Sequence, residues 1–94
     1  MNDELPYMPL FVRDVLAAIA DLDDAERGAY LSLVLGCWAE GGSLSADPRR
    51  LARRAGTDPA RWEAIWAVIG RWFEVDEDRI RHPMVTAEMS RARS

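Results

Sequence analysis

The residues best suited to a chemical role are arginines grouped in one short segment of the chain. Arg49 and Arg53 are four residues apart, as are Arg50 and Arg54, so a helix would place each pair along one face. Guanidinium groups spaced in this way can contact the phosphates of a nucleic acid, and Arg61 follows shortly after them. The same arginines could instead form a solvated face or pair with the abundant carboxylates. We treat them as candidate phosphate ligands.

Catalytic chemistry has weaker support because its usual groups occur singly. The chain has one cysteine, Cys37, within an apolar run, and one histidine, His82, next to Pro83. A nucleophile needs a base and an orienting group nearby, and neither residue has such a partner in the sequence. We therefore predict a buried thiol, a satisfied imidazole and no enzyme activity. These two residues also leave too few ligands for zinc, so no metal or cofactor is expected.

The charge distribution limits what the arginines could bind. The 94 residues include 12 basic residues, all of them arginine, and 16 acidic residues, which gives a formal net charge of −4. Residues 45–62 hold five arginines and two acids, whereas residues 1–44 hold two arginines and eight acids. An acidic chain with one basic segment is unsuited to tight, non-specific binding of a polyanion, but it permits local, salt-sensitive contact.

Length and hydropathy predict one domain. A chain of 94 residues, 49% of them hydrophobic, can build one modest core. We divide it into an N-terminal arm and short helix (1–22), a core (23–82) and a C-terminal helix or tail (83–94). The first twenty residues carry acids and prolines where a secretory signal would be basic and apolar, so we expect a cytoplasmic protein. The uncharged run 28–39 is too short to span a membrane.

Proline, glycine and capping residues divide the first half of the chain. Two prolines in residues 5–11 predict an extended arm, and apolar spacing predicts a short helix over residues 14–20. Asp23 and Glu26 have the spacing of a capping box, which predicts a second helix that runs to about residue 40 and stops at the glycines that follow.

This second helix is apolar almost all round, which predicts that it is covered on several sides. Gly28, Ser32 and Gly36 recur at every fourth residue and would form a ridge of small side chains. Such a ridge would let another helix cross closely, either within the domain or across a dimer contact.

Asp-Pro pairs at 47–48 and 58–59 predict two adjoining helices, over residues 48–55 and 59–71. The second helix has an apolar face, made of Trp62, Ile65, Trp66, Ile69 and Trp72. We predict that this face is core and not a platform on which bases stack. The opposite face is nearly featureless: Ala60, Ala64, Ala67 and Arg71, flanked by Glu63. It offers little for reading base edges.

Alternation of apolar and charged residues predicts a hairpin over residues 73–75 and 79–81. A turn at residues 77–78 would pair Val75 with Ile80, Glu74 with Arg81 and Asp76 with Arg79. Arg79 and Arg81 are further nucleic-acid candidates, although these acids would offset most of their charge. Leu44 would supply a third strand, and residues 84–93 a last helix.

The predicted order of elements is that of a winged helix. We expect a mainly α domain with a small β-hairpin wing, that is, a winged helix-turn-helix with an extra N-terminal arm and helix and a C-terminal helix. Residues along nearly the whole chain also resemble a family. The matching stretches are residues 5–12, 22–31 and 51–56, together with Trp38, Trp62, Phe73, Arg81 and His82.

They are similar to the YdaU-type domain of unknown function of phages and prophages, most specifically in the Glu-x-Gly-Ala-Tyr stretch at residues 26–30. The resemblance implies a domain like the N-terminal winged helix of phage replisome organisers, at the start of longer proteins associated with phage DNA replication. It implies no catalytic residues. The C-terminal extension common in the family is absent from these 94 residues.

Two functions remain open from the sequence. The first is a phage-type accessory domain that binds nucleic acid weakly or serves a replication complex. The second is an acidic protein-interaction module, such as a phage-encoded inhibitor of a host nuclease or defence complex, in which two clusters would contact a basic partner. The clusters are Asp21, Asp23, Asp24 and Glu26, and Glu74, Asp76, Glu77 and Asp78. A monomer and a homodimer are both compatible with the pattern.

Overall fold

Five α-helices and a three-stranded antiparallel sheet make up residues 12–92, the part of the chain that the computed structural model describes. The elements are α1 (Val12–Ile19), α2 (Asp24–Ala39), β1 (Leu44–Ser45), α3 (Pro48–Ala55), α4 (Pro59–Ile69), a 3₁₀ turn (Gly70–Trp72), β2 (Glu74–Asp76), β3 (Arg79–Arg81) and α5 (Pro83–Ala92). The domain is thus mainly helical with a small sheet, as predicted. The arm expected at residues 5–11 lies outside the described residues.

Local signals in the sequence account for the helix starts. At α2, the carboxylate of Asp23 accepts the Glu26 N–H at 2.8 Å, and the Glu26 carboxylate accepts the Asp23 N–H at 3.0 Å. This reciprocal pair is the predicted capping box. Asp47 likewise accepts the backbone N–H of Arg50 at 3.1 Å, and α3 ends at Gly56, whose φ of 75° favours glycine.

The sheet has the order β1-β3-β2. Leu44 pairs with Ile80 in β3, and the hairpin pairs Val75 with Ile80 and Glu74 with Arg81. The predicted register and the predicted third strand are therefore confirmed. Helices α2, α3 and α4 precede the β2–β3 hairpin, and this order is compatible with a helical domain that carries a β-wing.

The core lies between α2, α4 and the sheet. Leu33 and Cys37 of α2 and Ile69 of α4 are completely buried, and Trp62 and Ile65 are nearly so. Trp66 and Trp72 are half-buried at the edge of the same cluster. The tryptophan-rich face of α4 therefore points inward, as predicted, and its alanines at positions 60, 64 and 67 are exposed.

The prediction that α2 is covered on several sides is confirmed, because α1, α3, α4, α5 and β1 all contact it. One side stays open to solvent, where Leu35 is 51% exposed. The ridge of small residues is used only in part. A Cβ at Gly28 would meet nothing within 4 Å among residues 12–92, whereas Gly36 is closely approached by Leu44 and by the side chain of Arg54, which lies on α3.

Several predicted boundaries shift by one or two residues. Helix α1 already includes Val12, ahead of the predicted start at Asp14, and β2 spans Glu74–Asp76 instead of residues 73–75. Helix α5 begins at Pro83, because proline suits the first position of a helix. Helix α4 stops at Ile69 and tightens into the 3₁₀ turn. At Gly70 a Cβ would lie 2.9 Å from the Trp66 ring, so the tight turn depends on glycine.

Candidate nucleic-acid interface

A polar cleft lies between the end of α2, strand β1, helix α3 and strand β3, with a volume of about 610 Å³. We call it the arginine cleft. Its lining consists of Glu40, Ser43, Leu44, Ser45, Arg50, Leu51, Arg53, Arg54 and Arg79. The cleft therefore brings four guanidinium groups together around one carboxylate.

Helix α3 positions three of these arginines through its own amphipathic pattern. Leu51 and Ala52 are buried against the core, which turns Arg50, Arg53 and Arg54 outward. The Asp47 cap and Pro48 set the start of the helix and hence the direction of each side chain. The two rows of arginine expected from the sequence do form: Arg50 and Arg54 both reach the cleft, whereas of Arg49 and Arg53 only Arg53 does.

Arg54 has an acidic partner within the cleft. Its Nη2 atom lies 3.2 Å from Oε2 of Glu40, the residue that follows α2, and the two side chains are 39% and 51% exposed. The stem of Arg54 crosses α2 at Gly36, where a Cβ would lie only 2.8 Å from the Arg54 Cδ. A glycine at this position therefore allows Arg54 to lie against α2.

Arg79 does not behave as the hairpin register suggested. Although its backbone pairs with Asp76, its side chain turns away and donates from Nε to the Ser43 Oγ and from Nη2 to the Ser43 carbonyl, both at 3.0 Å. The expected partner, Asp76, instead accepts from Arg81 Nη1 at 3.1 Å. The expectation that Asp76 offsets the Arg79 charge was wrong, because side chains on neighbouring strands can pair diagonally.

The remaining arginine candidates lie elsewhere. Arg49 and Arg61 are exposed but do not line the cleft, and Arg81 lines a separate depression with Gly41 and Gly42. Ser43 and Glu40 were missed as site residues, because their role depends on how the end of α2 meets the sheet.

Most of the acidic candidates have structural roles or lie in solvent. Asp23 and Glu26 form the capping box, and Asp76 pairs with Arg81. The other members of the two clusters, Asp21, Asp24, Glu74, Glu77 and Asp78, are exposed. Glu77 has a φ of 56°, in the left-handed region, and so forms the hairpin turn.

A second cleft, of about 700 Å³, lies beside α1 and the start of α5. We call it the aromatic cleft; it is lined by Asp14, Val15, Ala17, Ala18, Tyr30, Arg71, Trp72, His82, Pro83 and Met84. Inside it, Nδ1 of His82 accepts the Met84 N–H at 3.1 Å, so the neutral ring donates from Nε2 to the Tyr30 hydroxyl at 2.9 Å. Both nitrogens of His82 are therefore satisfied.

Burial shifts the titration of the groups near the aromatic cleft. It lowers the pKa of His82, against a smaller opposing effect of the Glu74 charge. It also raises the pKa of the Tyr30 hydroxyl, with a contribution from Asp14, and the pKa of the Cys37 thiol to about 11. Cys37 is completely buried, as the sequence indicated, and its thiol is protonated at neutral pH.

Over residues 12–92 there is no group of three or more histidine, cysteine or acidic residues that could hold a metal ion. In the same part of the chain, no helix has both the length and the apolar character needed to cross a bilayer.

Comparison with known proteins places the chain in a family. The model for the family described as "Protein of unknown function (DUF1376)" matches residues 6–90. The chain belongs to this family. It is also 35% identical over 69 residues to "Uncharacterized protein YdaU" of Escherichia coli (strain K12).

That match covers 73% of this chain but only 24% of the relative, so the chain spans about a quarter of the length of the curated relative that it matches. The predicted membership in a YdaU-type family is confirmed. No solved structure matches the chain. The resemblance to a winged helix therefore stays a prediction.

Proposed function

We propose that this DUF1376 domain is a phage-type accessory module that binds the phosphate backbone of nucleic acid weakly through the arginine cleft. The observation that carries the proposal is the convergence of Arg50, Arg53, Arg54 and Arg79 on one side of an otherwise acidic protein. Arginine binds phosphate well because its planar group can donate two parallel hydrogen bonds. The proposal is for a binding module and not for an enzyme.

Contact with the backbone is favoured over reading of bases. We infer that α3 and α4 form a helix-turn-helix and that β2 and β3 form the wing, since their order matches that architecture. In such proteins the second helix of the pair enters the major groove. The outward side of α4 presents exposed alanines at positions 60, 64 and 67 beside Glu63, and these residues offer little to base edges.

Service in a replication complex is part of the same proposal and rests on the resemblance stated above. The competing function, an acidic module that binds a basic protein, has less support. Asp23 and Glu26 are engaged in capping α2, and Asp76 is paired with Arg81. Capping of α2 explains Asp23 and Glu26, and the ion pair with Arg81 explains Asp76, without a partner protein.

Fluorescence anisotropy with labelled duplex and single-stranded DNA at low salt tests the proposal. Non-specific binding of this kind has dissociation constants of about 10⁻⁴ to 10⁻⁶ M. Replacing Arg50 and Arg53 by glutamine should weaken binding at least about tenfold, since two phosphate contacts are lost. For duplex DNA, the slope of log K against the logarithm of the salt concentration should become less steep by about two, because each lost phosphate contact contributes about 0.9.

The matched control is the Arg13→Gln/Arg71→Gln variant, which removes the same charge from exposed positions outside the arginine cleft. It should bind within about twofold of the natural protein. The proposal is wrong if no binding appears at high micromolar protein. It is also wrong if the two double variants lose affinity equally, because binding would then follow net charge and not the cleft.

A further inference from the structure

We propose that the arginine cleft holds a nucleic-acid phosphodiester beside Arg54 and Arg79, and that Glu40 occupies the phosphate position on Arg54 in the free protein. Glu40 would thereby act as an internal competitor that keeps the affinity low. The inference rests on the proposed function and adds to it a defined phosphate position and a residue that regulates it.

Positive charge exceeds negative charge within the cleft. Arg54 pairs with Glu40, but within residues 12–92 neither Arg50, Arg53 nor Arg79 forms an ion pair. Both hydrogen bonds of Arg79 go to neutral oxygens of Ser43, so its positive charge is not offset. Four guanidinium groups around one carboxylate leave an excess of positive charge, which an anionic ligand would neutralise.

Arg54 and Arg79, the two arginines at this position, are held in place independently of a ligand. Ser43 fixes Arg79 through two donors of its guanidinium group. The stem of Arg54 lies against α2 at Gly36, with its Nη1 3.4 Å from where a Cβ would be. Such preorganised groups lose little conformational entropy when a ligand arrives.

The contact between Glu40 and Arg54 is weak enough for a ligand to replace it. It is a single ion pair between half-exposed side chains, 3.2 Å apart, and such pairs contribute at most about 1 kcal/mol. A phosphate that can accept from several arginines at once would displace this carboxylate. The displaced Glu40 would nevertheless remain near the bound phosphate and repel it. Its charge should therefore lower the affinity unless the salt concentration is high enough to screen exposed charges.

The volume of the cleft, about 610 Å³, is within the usual range of ligand sites and is ample for a phosphodiester with parts of its two sugars. The serines that line it, Ser43 and Ser45, offer hydroxyl groups of the kind that contact phosphate oxygens. Among residues 12–92 no aromatic ring lines this cleft, so we expect contact with the backbone without stacking of bases.

The test compares Glu40→Gln with Glu63→Gln, which removes the same charge from the exposed side of α4. In the DNA titration, Glu40→Gln should raise affinity by about three- to tenfold, whereas Glu63→Gln should change it by less than about twofold. In an Arg54→Gln background, Glu40→Gln should lose the part of its effect that comes from competition, since the competed position is gone, and keep only the part that comes from charge repulsion. Circular dichroism checks that each variant is folded.

A second titration uses inorganic pyrophosphate, followed by NMR at the Nε–H signals of Arg54 and Arg79. Both signals should shift with the same dissociation constant, and Glu40→Gln should tighten it. If DNA binds through the arginine cleft but Glu40→Gln behaves like Glu63→Gln, the inference is wrong and the proposed function stands. If pyrophosphate binds with this dependence on Glu40 but DNA does not, the cleft is an anion site and the nucleic-acid function is wrong. If neither ligand binds, both are overturned.

Discussion

The arginine cleft and the aromatic cleft are similar in size, at about 610 and 700 Å³, but opposite in how their polar groups are used. In the aromatic cleft, His82 and Tyr30 satisfy each other and are buried within the fold. In the arginine cleft, Arg50 and Arg53 face solvent, and within residues 12–92 the Arg79 side chain bonds only to neutral oxygens of Ser43. Charge that the fold does not neutralise, and not concavity, distinguishes the candidate site.

Helix α2 takes part in both clefts. Its first half places Tyr30 among the rings of Trp72, Phe73 and His82, with centroid separations of 5.4 to 5.9 Å. Its second half supplies Gly36, against which Arg54 lies, and is followed directly by Glu40. We therefore expect changes near the start of α2 to affect stability and changes near its end to affect binding.

The largest contrast should come from truncating one residue of each cleft. Tyr30→Ala removes a ring that is 2% exposed and should lower the free energy of unfolding by about 3 to 5 kcal/mol. Arg50→Ala changes an exposed side chain and should alter it by less than about 0.5 kcal/mol. Urea denaturation of both variants measures their free energies of unfolding. Comparable losses of stability would remove the distinction between the two clefts.

A pH titration sharpens the contrast at the aromatic cleft. Because burial lowers the pKa of His82 in the folded protein, the unfolded chain binds the proton more readily at mildly acidic pH. The contribution of His82 to stability is therefore complete above an unfolded pKa of about 6.5 and is lost as the pH falls below it. Uptake of one proton can change the free energy of unfolding by at most about 1.4 kcal/mol per pH unit.

The measurement is the free energy of unfolding between pH 7 and pH 5 for the natural protein and for His82→Gln. As the pH falls, the free energy of unfolding should decrease more steeply for the natural protein than for His82→Gln, since the carboxylates contribute equally to both curves. Parallel curves would mean that His82 titrates alike in the folded and unfolded chain. Protonation should also break the bond in which Nδ1 accepts the Met84 N–H.

The smallest effect compares the two glycines within α2. A Cβ at Gly28 would meet no other atom of residues 12–92 within 4 Å. Gly28→Ala should therefore stabilise the protein by about 0.5 to 1 kcal/mol, because alanine favours the helix. Gly36→Ala should give no such gain, since its Cβ would lie 2.8 Å from the Arg54 Cδ and displace that side chain. Thermal unfolding of the two variants gives the difference. Equal stabilisation would show that Arg54 does not need the space at Gly36.

Most of the local architecture could be predicted because its causes are local. Asp23 and Glu26 are three residues apart, and Asp47 and Asp58 directly precede prolines, so the helix starts follow from hydrogen bonds within one turn. The hairpin register follows from alternation, and the inward face of α4 follows from helical periodicity.

The candidate site could be predicted only in part. The row of arginines on α3 was visible, whereas the partnership of Arg79 with Ser43 joins residues 36 positions apart and has no signal in spacing. The pairing of Arg54 with Glu40 depends likewise on where α3 crosses the end of α2.

Composition and spacing by themselves determined the elements, their order and the segment that carries basic charge, because capping, periodicity and turn formation act over a few residues. Only the tertiary structure decided which guanidinium groups remain without an acidic partner. That outcome depends on distances between side chains of different elements, and Coulomb interactions change greatly over a few ångströms.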